Sequence, residues 1–317
     1  MIMNNRRCFI TGIKSKKLSN REKFFLKKYK PWGVILFTRN IKSISQTKKL
    51  TDQIRKIFKD KKYPILIDQE GGRVNRLNFF SNSDRLTSEY FGKLYSKNKV
   101  KFNLFYSIFI NRTTSMLKSL GININTVPVL DLRVKGASKI INDRSFSSDV
   151  ELVSKIGNIC IDNFQKNNIA TVIKHIPGHG HAKVDSHKLT PTVNIKYNQL
   201  INKDFSAFKN KKSLLAMTAH IIYKNIDPDY SATHSKKIIN LIRKNIGFKN
   251  IIMTDDISMK SLKLTIKENT KKSFLAGCNL VLHCNGKYDE MVDVAENSPK
   301  LSNFIIKKTS QLYKILS

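Results

Sequence analysis

Long apolar runs are missing from this chain. No stretch approaches the ~18 residues that cross a bilayer, which excludes a helical membrane span. The first residues, MIMNNRRCFITGIKSKK, carry two arginines but no apolar stretch of signal-sequence length, so no secretory leader is expected. Cysteine is scarce too: Cys8, Cys160, Cys278 and Cys284 are scattered and include no CxxC pair. That argues against a disulfide framework and for reduced thiols. The expectation is a soluble, cytoplasmic protein. Acidic residues are few, 23 Asp+Glu against 58 Lys+Arg, for a formal charge of +35. Such a field attracts polyanions at low salt. The cations are spread over the whole length, however, and Lys, Asn and Ile abound throughout, as A/T-rich codons would dictate. No RRM, KH, zinc-finger or helix-turn-helix signature is present, so no specific nucleic-acid partner is expected. Neither a GxGxxG fingerprint nor a P-loop occurs.

What is present is an alternation. Short apolar runs recur and most stop at a polar residue: Cys8–Ile10, Val34–Phe37, Ile65–Ile67, Ile122–Val129, Ile169–Ile173, Leu214–Met217, Ile251–Met253 and Leu280–Leu282. Between most of them lie stretches of helical periodicity: Ser19–Tyr29, Ser45–Phe58, Val100–Leu120, Val150–Gln165, Lys236–Ile246 and Ser302–Ile315. Eight buried strands alternating with helices require parallel pairing. The count predicts an α/β fold, a single (β/α)8 TIM-type barrel, with polar strand ends ringing one mouth. No repeat, linker or composition break divides residues 1–317, so a single catalytic barrel domain is expected.

Several strand ends carry reactive groups. IATVIKHIPGHGHAKVDSH, Ile169 to His187, delivers Lys174 and His175 at the end of the fifth run, then a Pro-Gly-His-Gly turn, then Asp185 and His187. After the third run, Asp68-Gln69-Glu70-Gly71-Gly72-Arg73-Val74-Asn75-Arg76 sets glycines between acids and arginines able to bind a polyhydroxylated ligand; a capped loop with an internal Arg–Glu pair fits it equally. Arg144 lies in the long connection after the fourth run and could clamp a hydroxyl or carboxylate, or lie in a solvated loop. Thr254-Asp255-Asp256 ends the seventh run; one aspartate suits a helix N-cap, which leaves the other for chemistry. His175, His179, His181 and His187 fall close together, but their spacing fits neither HExxH nor a paired Cys/His zinc pattern, and His179 between two glycines suits a turn brace. No metal or cofactor is expected.

IDQEGGRVNRL, KHIPGHG, the DSH triplet, MTAHIIY and MTDDISM occur in this order. Together with GVILFTRN, VPVLDL, RSF and AGCNLVLHCN, they resemble the family-three glycoside hydrolases, and more narrowly the bacterial β-N-acetylhexosaminidases of cell-wall recycling. The likeness covers roughly residues 30 to 285. It implies retaining hydrolysis of terminal β-linked N-acetylglucosamine, with a muropeptide bearing N-acetylglucosamine on anhydro-N-acetylmuramic acid as substrate. It places Asp255 on the nucleophile, His187 on the acid/base, Asp185 on the group that orients it, and Asp68, Arg76, Arg144, Lys174 and His175 on sugar-binding positions. Asn250 stands where the family usually has Gly, and Asn279 where many members have Asp.

These residue types suit the chemistry. Retention needs two displacements, and a carboxylate both attacks and leaves. An imidazole with a pKa near ~6.5 can give and take a proton around neutrality, with a nearby aspartate to fix its tautomer. A monomer acting on a small carbohydrate is expected. A basic barrel that binds nucleic acid or envelope without catalysis is the alternative of another class; a family-three enzyme for another β-sugar is the alternative within enzymes.

Overall fold

A computed structural model describes residues 3, 5–184 and 189–317 of the chain. Eight parallel strands close into a barrel: β1 (Arg7–Gly12), β2 (Pro31–Leu36), β3 (Ile65–Ile67), β4 (Ile124–Asn125), β5 (Ala170–Ile176), β6 (Leu215–Thr218), β7 (Ile251–Asp256) and β8 (Leu280–His283). Each pairs with its neighbours in sequence, and β1 closes on β8 with Phe9 opposite Val281. The (β/α)8 architecture expected from the apolar runs is the one observed.

The strands are continuous apolar runs because both faces are buried. Inward residues such as Ile10, Trp32, Leu66, Val172, Met217, Met253 and Leu282 fill the barrel. Outward residues such as Phe9, Val34, Ile65, Ile67 and Val281 pack against the helices. The helices are α1 (Asn20–Tyr29), α2 (Ile44–Phe58), α3 (Ser88–Lys97), α4 (Lys99–Ser119), α5 (Val150–Lys166), α6 (Tyr197–Asn202), α7 (Lys236–Leu241), α8 (Ile266–Ala276), α9 (Tyr288–Glu296) and α10 (Asn303–Ile315). Side chains cap many of their starts: Ser19 with Glu22 forms a reciprocal capping box on α1, and Thr265 with Glu268 does the same on α8.

The structure departs from the periodicity in informative places. The fourth strand is two residues long rather than spanning Ile122–Val129, since Pro128 has no N–H for the ladder. The fifth and seventh run past their apolar cores, so Lys174, His175 and Asp255 lie within strands rather than beyond them. The Lys236–Ile246 stretch is helical but widens into a π-helical turn over Ile242–Ile246. Helix α3 has no clear signal because Gly92 interrupts it; a Cβ there would meet the Phe146 carbonyl oxygen at 1.8 Å, so close docking on the Arg144 loop requires glycine. A two-residue parallel ribbon, Thr192–Val193 with Ile222–Tyr223, is an addition outside the barrel.

Candidate active site

The C-terminal ends of the strands converge on a cavity of about 120 Å³ lined by Asp68, Glu70, Val74, Arg76, Ile140, Arg144, Lys174, His175, His179, Met217 and Asp255. Its charged side chains are three carboxylates and three cations, so the excess positive charge of the chain is not concentrated here. All six described residues that the sequence singled out for the site meet in this one cavity. Asp185 and His187 lie outside the described residues.

Lys174 is the hub. Its Nζ lies 2.6 Å from Glu70 Oε1, 3.3 Å from Asp68 Oδ1 and 2.9 Å from the Thr126 hydroxyl. Thr126 in turn donates to Asp68, and Arg76 Nη2 approaches Asp68 Oδ2 at 3.5 Å. Burial alone would raise the Asp68 carboxyl; Lys174, then Arg76 and the Thr126 hydroxyl, hold it below the usual range. Glu70 is gripped by Arg144 through Nε at 2.7 Å and Nη2 at 2.8 Å. Burial opposes its ionisation, but Arg144 and Lys174 hold it well below the ordinary glutamate value.

Asp131, fully buried, is a second organising carboxylate. It accepts from His175 Nδ1 at 2.6 Å and from the backbone N–H of His179 at 2.6 Å. Burial would raise it; the His175 ring, with His179 and its backbone N–H, holds it below the usual aspartate value. An ionised carboxylate only accepts, so His175 carries a proton on Nδ1 and points its other ring edge at the cavity. His179 packs edge-on to His175 with ring centroids 5.5 Å apart, and burial, then His175, push it down to about 4. It is therefore neutral at pH 7. The ring of His179 is expected to brace the turn; its backbone N–H also ties the turn to Asp131.

The two adjacent aspartates of β7 divide their work. Asp256 accepts from Ser258 N at 3.1 Å, Ser258 Oγ at 2.8 Å and Cys284 N at 3.1 Å. It fastens the turn after β7 to the end of β8. It does not cap a helix, since the next one begins at Ile266 under Thr265. Asp255 lines the cavity, and its Oδ1 accepts from the N–H of Asp256 at 2.7 Å. Burial would raise Asp255; the His220 ring, the His175 ring and that N–H together hold it below the usual aspartate value. His220 sits between Thr233 Oγ1, 2.7 Å from Nδ1, and the Asp256 carbonyl, 3.0 Å from Nε2. A carbonyl only accepts, so Nε2 carries the proton.

Sequence reasoning did not assign Glu70, Asp131 or His220 a place in the site. Glu70 and Asp131 were visible inside quoted motifs, but their partners Arg144 and His175 are 74 and 44 residues away. Of the four neighbouring histidines, His175 faces Asp131 and His181 Nε2 lies 3.2 Å from Asp204, while His187 lies outside the described residues. Among the described residues no three His, Cys, Asp or Glu side chains converge as a metal set. The two family departures are structural: Asn279 Oδ1 accepts from Arg243 at 2.7 Å and from Ile252 N at 2.9 Å, and Asn250 Nδ2 donates to the Ser213 carbonyl at 3.0 Å.

Residues 9–310 match the glycosyl hydrolase family 3 N terminal domain. A beta-hexosaminidase of Psychromonas ingrahamii is 30% identical over 315 residues, 96% of this chain and 89% of that protein. The beta-hexosaminidase of Actinobacillus pleuropneumoniae serotype 5b is 34% identical over 287 residues, 87% of this chain and 80% of that one. The crystal structure of NagZ from Neisseria gonorrhoeae in complex with N-trifluoroacetyl-D-glucosamine has a TM-score of 0.87 and 27% identity, covering 99% of this chain and 91% of that chain.

Proposed function

Since the chain belongs to glycosyl hydrolase family 3, we propose that it is a retaining β-N-acetylglucosaminidase that removes terminal N-acetylglucosamine from peptidoglycan fragments. In this reading it works as one cytoplasmic, monomeric barrel domain on muropeptides bearing N-acetylglucosamine on anhydro-N-acetylmuramic acid. The observation that carries it is the charge-balanced cavity at the strand C-termini, with the Asp255 carboxylate, held ionised, on its wall beside the Asp68 and Glu70 pairs. A charge-balanced wall rich in donors and acceptors suits a neutral polyhydroxylated ring better than a polyanion.

Asp255 attacks the anomeric carbon as the bond to the leaving oxygen breaks, and His187 gives that oxygen its proton. The product of this step is a glycosyl ester on Asp255. His187, now neutral, takes a proton from water; the water oxygen attacks the same carbon, and the Asp255 carboxylate departs. Asp185 fixes the His187 tautomer and stabilises its charged form. An imidazole brings no second negative charge toward the carboxylate in the deglycosylation step. Asp68, Arg76, Arg144, Lys174 and His175 hold the hydroxyls. In Lys174 and Arg144 this binding role coexists with the ion pairs to Glu70 and Asp68, which pre-set their positions before sugar arrives.

The test is hydrolysis of a chromogenic β-N-acetylglucosaminide beside the matching β-glucoside, with the first-formed anomer read by NMR. We expect the acetamido sugar to be preferred by about two orders of magnitude or more, with β product first. Equal rates, or α product first, would reject the proposal.

A further inference from the structure

Helix α4 carries apolar residues on two opposite faces, and the barrel uses one of them. Phe102, Tyr106, Ile110 and Leu117 face the core. On the opposite side, Leu104, Phe105 and Ile108 are 57%, 47% and 52% exposed. At 100° per residue these three fall on one stripe with Lys101 before them and Arg112 after. The stripe is continuous with an apolar groove of about 180 Å³ whose walls include Leu77, Leu86, Tyr90, Phe105, Ile108 and Phe109. A barrel helix normally buries one face and shows water a polar one, so an uncovered apolar stripe marks a contact surface.

The surrounding charge says what that contact is. From Tyr90 to Leu130 there is no Asp or Glu, while Lys93, Lys97, Lys99, Lys101, Arg112 and Lys118 are all exposed. The nearest preceding acid, Glu89, is already paired with Lys93 and Arg133. A second copy of this chain would set cations against cations, a contact with a large repulsive term. An anionic bilayer supplies both complements, headgroup phosphates for the basic rim and acyl chains for the stripe, and it deforms to accept a convex helix. No helix among the described residues is long and apolar enough to cross a membrane, so the contact would be peripheral.

We propose that the α4 face is a docking surface for an anionic lipid bilayer. Phe105 and Ile108 insert at the headgroup level, and Lys101 and Arg112 sit among the phosphates at either end of the stripe.

The full chain is sedimented with vesicles of equimolar phosphatidylglycerol and phosphatidylcholine, and with phosphatidylcholine alone, at about 0.15 M ionic strength. Retention is expected on the anionic vesicles. The Phe105→Ser, Ile108→Ser double variant should lose at least tenfold in partitioning while it hydrolyses a soluble chromogenic substrate like the parent. Since the single tryptophan, Trp32, is buried, a Phe105→Trp variant gives a clean reporter whose emission should shift to the blue on anionic vesicles. Three results would overturn the proposal: no retention, retention undiminished in the double variant (diffuse attraction by the basic surface), or a lipid-free dimer that the double variant dissociates.

Discussion

Arg144 holds Glu70 through two hydrogen bonds, Nε to Oε2 at 2.7 Å and Nη2 to Oε1 at 2.8 Å, and the two residues are 12% and 4% exposed at their side chains. A residue that the sequence offers as a sugar contact is thus also half of a buried ion pair. A guanidinium has five N–H donors. Glu70 takes two, and the Ile140 carbonyl receives a third from Nη1 at 3.2 Å. The remaining donors are what a ligand can use.

Arg144→Ala should therefore destabilise the protein as well as weaken sugar binding. Removing one member of a buried pair costs about 3–5 kcal/mol, and Lys174, still 2.6 Å from Glu70, keeps the loss toward the lower end. Chemical denaturation of the variant measures it. A variant of parental stability with weakened product binding would show that the pair carries little of the fold.

The same pair makes stability pH-dependent. Glu70 and Asp131 have depressed folded-state pKa values, so each contributes stability that is complete above its unfolded value, about 4, and is lost as pH falls through the folded one. Glu70→Gln should flatten the slope of unfolding free energy against pH in the acid range, and Asp131→Asn should do the same. A slope identical to the parent's in both would contradict the assignment.

Asp255→Asn should lower kcat by about 10⁴-fold or more in a folded protein. The neighbouring Asp256→Asn should act differently. It loosens the turn held by Ser258 and the N–H of Cys284, and should cost about 10- to 100-fold through misplacement of the strand tip. Similar losses in both variants would remove the distinction drawn between them.

His220 is a positioning residue for Asp255. Its ring is the first of the groups that lower Asp255, and it bonds the carbonyl of the next residue. In His220→Ala the acid limb of kcat/KM should move to higher pH, with kcat falling more than KM rises. In the parent, Asp255 stays ionised to below the usual aspartate value of about 3.9, so its limb lies on the acid side of that. A limb unmoved by the substitution would make His220 merely structural.

The architecture was legible because parallel barrel strands are buried on both faces, and an apolar run ending in a charge is their signature. Val34–Phe37 and Ile65–Ile67 needed no more than that. The extent of strand four is not legible, because Ile122, Ile124, Val127 and Val129 place apolar residues on both sides of Ile124–Asn125, and only the hydrogen-bond ladder distinguishes strand from buried loop. Helices α8 and α9 carry many polar residues, and the apolar pattern of α3 is interrupted at Gly92, a glycine whose reason is the Phe146 carbonyl, invisible without the fold. At the site, strand-tip groups such as Asp68, Lys174 and Asp255 were readable one at a time. The network was not, because the links Glu70–Arg144, Asp131–His175 and His220–Asp256 join different strands and loops.

The most direct measurement of the central claim is a trapping experiment. The enzyme is incubated with a slow fluorinated β-N-acetylglucosaminide, digested, and the modified peptide mapped by mass spectrometry. One glycosyl ester is expected, on Asp255. A label on any other residue, or no label together with an inverted product, would contradict it.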